Sequence, residues 1–251
     1  MVRYSKPYLK TVIVRLDFAS PIDNLSKNFP KNLAEAVKSS FPISEPHEFI
    51  NKEFNISPKS AIKERVSKQG TEWVFYSDDR QNTLNISSEK LVISYNKYPS
   101  YDILKNDFLS FADIIFKTFD QVQGRRLGLR YINEINLEES NIIDWTQYIN
   151  NVLLTKTPFP GGSNNISRIN NSIEFNFDSL FFRFIYGTLN PDYPAVIRKK
   201  NFTLDYDAYY QGPQVFADIS DNLDNFHKKI KEFFEISILD NLRDKMEIIN
   251  E

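Results

Sequence analysis

Arg126 and Arg130 are the residues whose type and spacing come nearest to a binding site. They stand four apart in a segment that alternates at period two, so both guanidinium groups fall on one face of a strand, with Gly128 between them leaving room for close approach. Two guanidiniums can grip a phosphate or carboxylate bidentately, and both stay charged when partly buried. Asn133 adds an amide near the end of the same segment, and Glu134 adds a carboxylate. Glu134 reads as a partner for the arginines rather than a general base, because one carboxylate without a second acid or a metal has little catalytic logic. The competing reading pairs both arginines with Asp or Glu on neighbouring strands, which is the commoner use of such residues.

The other chemistry-bearing residues read as ordinary structure. Gly161-Gly162 lacks the G-x-x-x-x-G-K-[ST] spacing of a phosphate loop and reads as a turn after Pro160. The chain has no cysteine and only two histidines, His47 and His227, which removes disulfides, thiolate catalysis and Cys-ligated metals and disfavours a His-rich site. His227, beside Lys228 and Lys229, reads as a solvated helix residue. Arg198-Lys199-Lys200, with Tyr206, Tyr209 and Tyr210 downstream, has the composition of a nucleic-acid surface but reads more simply as a solvated turn before a strand. Asp78-Asp79 reads as a turn, and Asp205 and Asp207 as solvated strand-edge residues without a two-metal pattern. No catalytic residue, bound metal or cofactor is expected.

Positioning these residues requires strands and two long helices. Val12 to Phe18 reads as a strand, Leu33 to Ser40 as a short helix, and the Pro- and charge-rich stretch from Phe41 to Gln69 as an exposed, mobile connection. Glu72 to Tyr76, Thr83 to Ser87 and Leu91 to Tyr95 read as an antiparallel meander separated by turn-forming polar residues. Ser100 is placed to cap a helix whose apolar residues Leu104, Phe108, Phe111, Ile115, Phe119 and Val122 recur at helical spacing until Gly124. The strand from Arg126 to Ile135 follows, with Leu127, Leu129, Tyr131 and Ile135 on one face. A helix over Ile142 to Leu154, the Pro158 to Asn165 loop, strands at Ile173 to Phe177, Leu180 to Tyr186 and Phe202 to Tyr209, and a helix over Leu223 to Ile248 complete the reading. Trp73, Phe75, Leu104, Phe108, Phe111, Ile115, Leu127, Leu129 and Phe233 are the expected core.

Composition bounds the partners. An apolar share of 41% with 21 Phe and 13 Tyr commits the chain to folding, and a net charge of −2 gives no overall signal for nucleic acid or an anionic membrane. The start, Met1 to Pro7, has no apolar signal-peptide stretch, and nothing approaches the ~20 apolar residues a spanning helix needs. The expectation is a cytoplasmic protein with no membrane partner.

Trp73-Val74-Phe75-Tyr76-Ser77-Asp78-Asp79, Leu84-Asn85-Ile86-Ser87, Tyr98 and above all Gly128-Leu129-Arg130-Tyr131-Ile132-Asn133-Glu134-Ile135 resemble a sporadically distributed family of uncharacterised prokaryotic proteins of about this length. The resemblance runs through most of the chain, including the His227 and Phe234 region, and departs from the pattern at Pro7-Tyr8-Leu9-Lys10, where lysine replaces an acidic residue. It implies a bacterial or archaeal cytosolic protein in a setting typical of mobile or defence-linked genes, and implies no activity.

The resulting expectation is an α+β protein, mainly antiparallel sheet with two long amphipathic helices, built as two pseudo-symmetric halves, 1–137 and 138–251, in one compact unit. Its expected role is non-enzymatic binding or regulation. It would recognise a protein partner encoded nearby or a small anionic ligand through Arg126, Arg130 and Asn133, in a prokaryotic antiviral-defence or toxin–antitoxin operon. The alternative is an enzyme acting on nucleic acid or a nucleotide; nucleic acid is otherwise disfavoured as a partner.

Overall fold

A computed structural model describes residues 3–57, 60–154 and 165–249, with side chains outside 50–69. Strand β1 (Leu9–Phe18) buries Val12, Val14 and Leu16 on one face, as its alternation dictates. Two short helices follow, α1 (Asp23–Lys27) and α2 (Lys31–Lys38). Next come β2 (Ile43–Ser44), β3 (His47–Ser57), β4 (Ser60–Tyr76), β5 (Asn82–Ile86) and β6 (Lys90–Tyr95). Helix α3 (Tyr101–Thr118) leads into β7 (Gly124–Leu137), and β8 (Asn171–Phe177), β9 (Leu180–Gly187) and β10 (Lys200–Gln214) precede α4 (Phe216–Ser237) and α5 (Asp240–Met246).

Contacts group the chain into two units. The first comprises Met1–Val12, Gly128–Tyr210 and Asp221–Glu251; the second comprises Ile13–Leu127 and Gln211–Ser220. In the first, the strand order is β1-β7-β10-β9-β8; in the second it is β2-β4-β5-β6-β1-β7-β10, with β3 pairing β4. In each unit the strands pair antiparallel and carry helices beside them, so the protein is α+β. Among the described residues no helix is long and apolar enough to cross a membrane.

The second unit follows the sequence pattern closely. The Ser100 hydroxyl accepts from the Ile103 amide, and Leu104, Phe108, Phe111, Ala112 and Ile115 form the buried stripe of α3. The helix stops at Thr118, six residues before the glycine expected to end it. Gly124 instead opens β7, where a Cβ would meet Leu16 Cδ1 at 2.6 Å and Gln214 Cβ at 2.9 Å, so only glycine permits that approach. Phe75, Leu104, Phe108, Phe111, Ile115 and Leu127 are buried as expected; Trp73 is half-buried and spends its indole N–H on the Leu25 carbonyl, 2.8 Å.

The stretch expected as an exposed connection contains β3 and most of β4, which pair antiparallel from His47↔Glu72 to Ser57↔Ser60 with two register shifts. A charge-rich ribbon satisfies its backbone by cross-strand pairing without showing an apolar period.

Two helical readings in the first unit change. Residues 142–154 are not α-helical: Asp144 Oδ1 accepts from both the amide and the hydroxyl of Thr146, a local turn that competes with helix, and only Asn151–Leu153 forms a 3₁₀ turn. The same segment interrupts the last helix. Ile149 bridges Ile238, the Asn150 amide donates to the Ser237 carbonyl, and the Leu239 amide donates to the Tyr148 carbonyl, 2.9 Å each, so α4 and α5 separate at Ile238-Leu239. Leu129 is buried in this unit, whereas Phe233 is half-buried against Phe182 at a ring separation of 4.3 Å.

Candidate functional site

Strand β10 lies between β7 and β9, and residues 200–208 are buried on both faces. Phe202, Leu204, Tyr206 and Ala208 occupy one face, where Tyr206 meets Phe234 of α4 at 6.4 Å and Phe202 meets Trp145 at 5.2 Å. Burial pushes the Tyr206 phenol well above its ordinary pKa. Thr203, Asp205, Asp207 and Tyr209 occupy the other face, and the carboxylates there need counter-ions.

The arginines supply them. Arg130 Nε donates to Asp205 Oδ1 at 2.8 Å and Nη2 to Oδ2 at 2.5 Å, a bidentate fork in which the Arg130 side chain is 35% exposed and that of Asp205 only 7%. Asp207 stands opposite Arg183 in the β10–β9 register and accepts from its Nη2 at 3.0 Å, with the arginine again the exposed member at 39%. Arg183 Nε is buried with no acceptor among the described residues. Glu174 of β8 lies opposite Arg183, and Phe181 stacks on Tyr209 at 5.5 Å, both at positions sharing this face. The result is a sheet surface on which two guanidiniums are held by carboxylates beneath them and flanked by a stacked aromatic pair.

The three expected ligand residues do not all converge here. Arg130 is on this face. Asn133, three residues on, alternates to the opposite face, where it is buried and donates from Nδ2 to the Leu204 carbonyl at 3.4 Å. Arg126 belongs to the second unit and is engaged in an interaction of its own. Asp205 and Asp207 are therefore paired interior residues, not the solvated edge residues expected, because β10 is a central strand. Arg183 was missed, although a lone Arg among Phe181, Phe182, Phe184 and Ile185, facing an Asp-Tyr-Asp strand, is the signal that finds it.

Two more readings change. His227 is half-buried, and its Nδ1 shares a 2.9 Å hydrogen bond with the Tyr131 hydroxyl, an interaction the flanking lysines gave no hint of. Lys200, expected in a solvated basic run, is 3% exposed: it pairs with Glu139 at 2.7 Å and lies over the rings of Trp145 and Tyr148 at 5.2 and 5.3 Å. The hydrogen bond from Lys200, helped by one from Tyr148, holds the Glu139 carboxyl below its usual range. Arg198 and Lys199 are exposed. Asp79 is a turn residue as expected, accepting from the Ser77 hydroxyl and the Gln81 amide. The Gly161-Gly162 loop lies outside the described residues.

Among the described residues no three His, Cys, Asp or Glu side chains group as metal ligands. No protein-family model matches the chain, and no curated protein matches it.

Proposed function

We propose that this protein is a non-enzymatic binding module whose Arg130/Arg183 sheet face receives a small ligand, or a group on a protein partner, carrying a phosphate or carboxylate. One observation carries the reading: Asp205 fixes the Arg130 fork through Nε and Nη2, leaving Nη1 without a hydrogen bond among the described residues on a side chain one-third exposed. A guanidinium preset in this way gives up little conformational freedom when an anion arrives. Phe181 and Tyr209 add an apolar flank for the rest of the ligand.

The enzyme alternative needs carboxylates near the arginines that are free to accept protons or a metal. Asp205 and Asp207 do approach, but each is buried and engaged by an arginine, so their chemistry is spent on positioning. The same proposal takes 1–137 and 138–251 as two versions of one plan, strands followed by a long amphipathic helix, and places the gene in a prokaryotic defence or toxin–antitoxin operon beside its partner's gene.

The experiment is thermal denaturation in rising inorganic phosphate at constant ionic strength. Saturating phosphate raises the wild-type melting temperature, since a ligand at 100 times its Kd stabilises by about 2.7 kcal/mol. Arg130→Lys keeps the charge and the Asp205 partner but loses the fork; it folds and loses the phosphate response. An unresponsive wild type, or an equal response in Arg130→Lys, overturns the proposal.

A further inference from the structure

Within the first unit, and separate from the arginine face, a cleft of about 260 Å³ opens beside Trp145. Ile143, Leu153, Leu154, Ile169 and Phe202 are its apolar lining residues, and Thr188 and Asn171 are among the polar ones. Gly187 borders it at φ +137°, where an added Cβ would lie 2.3 Å from the Ile169 carbonyl oxygen, so the wall depends on glycine at that point. The volume falls below the ~300–1,000 Å³ typical of drug-sized and cofactor sites, which sets the occupant at fragment size.

Trp145 supplies the unusual feature. Its Nε1–H is sealed from solvent and has no acceptor among the described residues, while Trp73, the only other tryptophan, has its own acceptor in Leu25. A desolvated donor without a partner is costly, and the cost is relieved by any acceptor brought to it. Charge narrows the choice further. Asp144 lines the cleft, and its hydrogen bonds from Thr146 keep the carboxyl below its ordinary range and ionised, which repels an anion. Lys200, over the Trp145 ring at 5.2 Å, is held by Glu139 at 2.7 Å and does not offset that repulsion.

We infer that this cleft binds a small molecule without negative charge that bears a carbonyl, whose oxygen accepts from Trp145 Nε1 after the indole shifts slightly toward the cleft. The ring or alkyl part of such a ligand lies against Ile143, Leu154 and Phe202, and the carbonyl supplies orientation.

The test follows the two indole N–H resonances by ¹H–¹⁵N NMR, assigned with Trp73→Phe, while benzamide, toluene and benzoate are titrated in turn. Benzamide moves the Trp145 indole proton downfield with saturation, leaves that of Trp73 in place, and binds at least tenfold more tightly than toluene, which lacks the acceptor, or benzoate, which carries the charge. Ile143→Phe narrows the cleft and weakens benzamide at least tenfold without displacing the Trp73 resonance. A Trp145 resonance that does not move, an equal response to all three probes, or undiminished binding to folded Ile143→Phe overturns the inference. None of these outcomes depends on phosphate.

Discussion

Replacing Arg130 by Met leaves Asp205 in place with its counter-ion gone, which tests the physical basis of the candidate site more directly than ligand binding does. Two hydrogen bonds, 2.8 and 2.5 Å, are lost at once, and the carboxylate left behind is 7% exposed. Breaking a buried pair from one side costs ~3–5 kcal/mol, and because Arg130 is itself 35% exposed the lower end, ~3 kcal/mol, applies. Removing the other partner is gentler. Asp205→Asn strands a guanidinium that can rehydrate through its exposed portion, so ~1–2 kcal/mol is expected. In a double-mutant cycle by urea denaturation, Arg130→Met/Asp205→Asn is more stable than the sum of the singles predicts, with a coupling of ~1–2 kcal/mol. Additivity within ~0.5 kcal/mol, or an Arg130→Met variant as stable as wild type, would refute the claim that Asp205 depends on this arginine.

Phe111→Ala empties a fully buried site that meets Phe41 edge-on at 6.2 Å, and its urea midpoint should fall by the equivalent of ~3–5 kcal/mol; a midpoint within error of wild type means that the α3 stripe has been misassigned. Tyr4, raised to about 12 by burial and by its hydrogen bond to Glu235, contributes stability that is complete below the ordinary phenol value and is lost as pH rises through about 12. Tyr4→Phe should therefore show a shallower loss of stability between pH 10 and pH 12 than wild type. Identical slopes would show that Tyr4 is not among the groups titrating.

Local signals carried much of the fold. The Ser100 cap, the Leu104 to Ile115 stripe and the β5–β6 meander are each specified by neighbours within a few residues, and the structure keeps them. What sequence alone missed depends on distant partners. Ile142, Ile143, Trp145, Tyr148 and Ile149 have spacing compatible with a helix, yet residues 148–150 exchange backbone hydrogen bonds with residues 237–239, and this pairing takes the first segment out of helix and interrupts the second between α4 and α5. No window of either segment contains that information.

The candidate site shows the same limit in electrostatic form. Period-two alternation assigns residues to faces, and in β7 the part-exposed Arg130 alternates with the buried Leu129 and Tyr131 as that rule requires. The inference that a polar face is a wet one fails at β10, where Asp205 and Asp207 are buried along with Leu204, Tyr206 and Ala208, which alternate with them. A carboxylate at such a position is tolerable only with a cation on an adjacent strand, so Arg130 and Arg183 are required by the fold before any ligand is considered. Their positive charge is thus largely cancelled, and what remains for binding is the geometry of the uncommitted donors. An anion held here is selected by how its oxygens match those donors, and its affinity should fall less with added salt than that of an open basic patch.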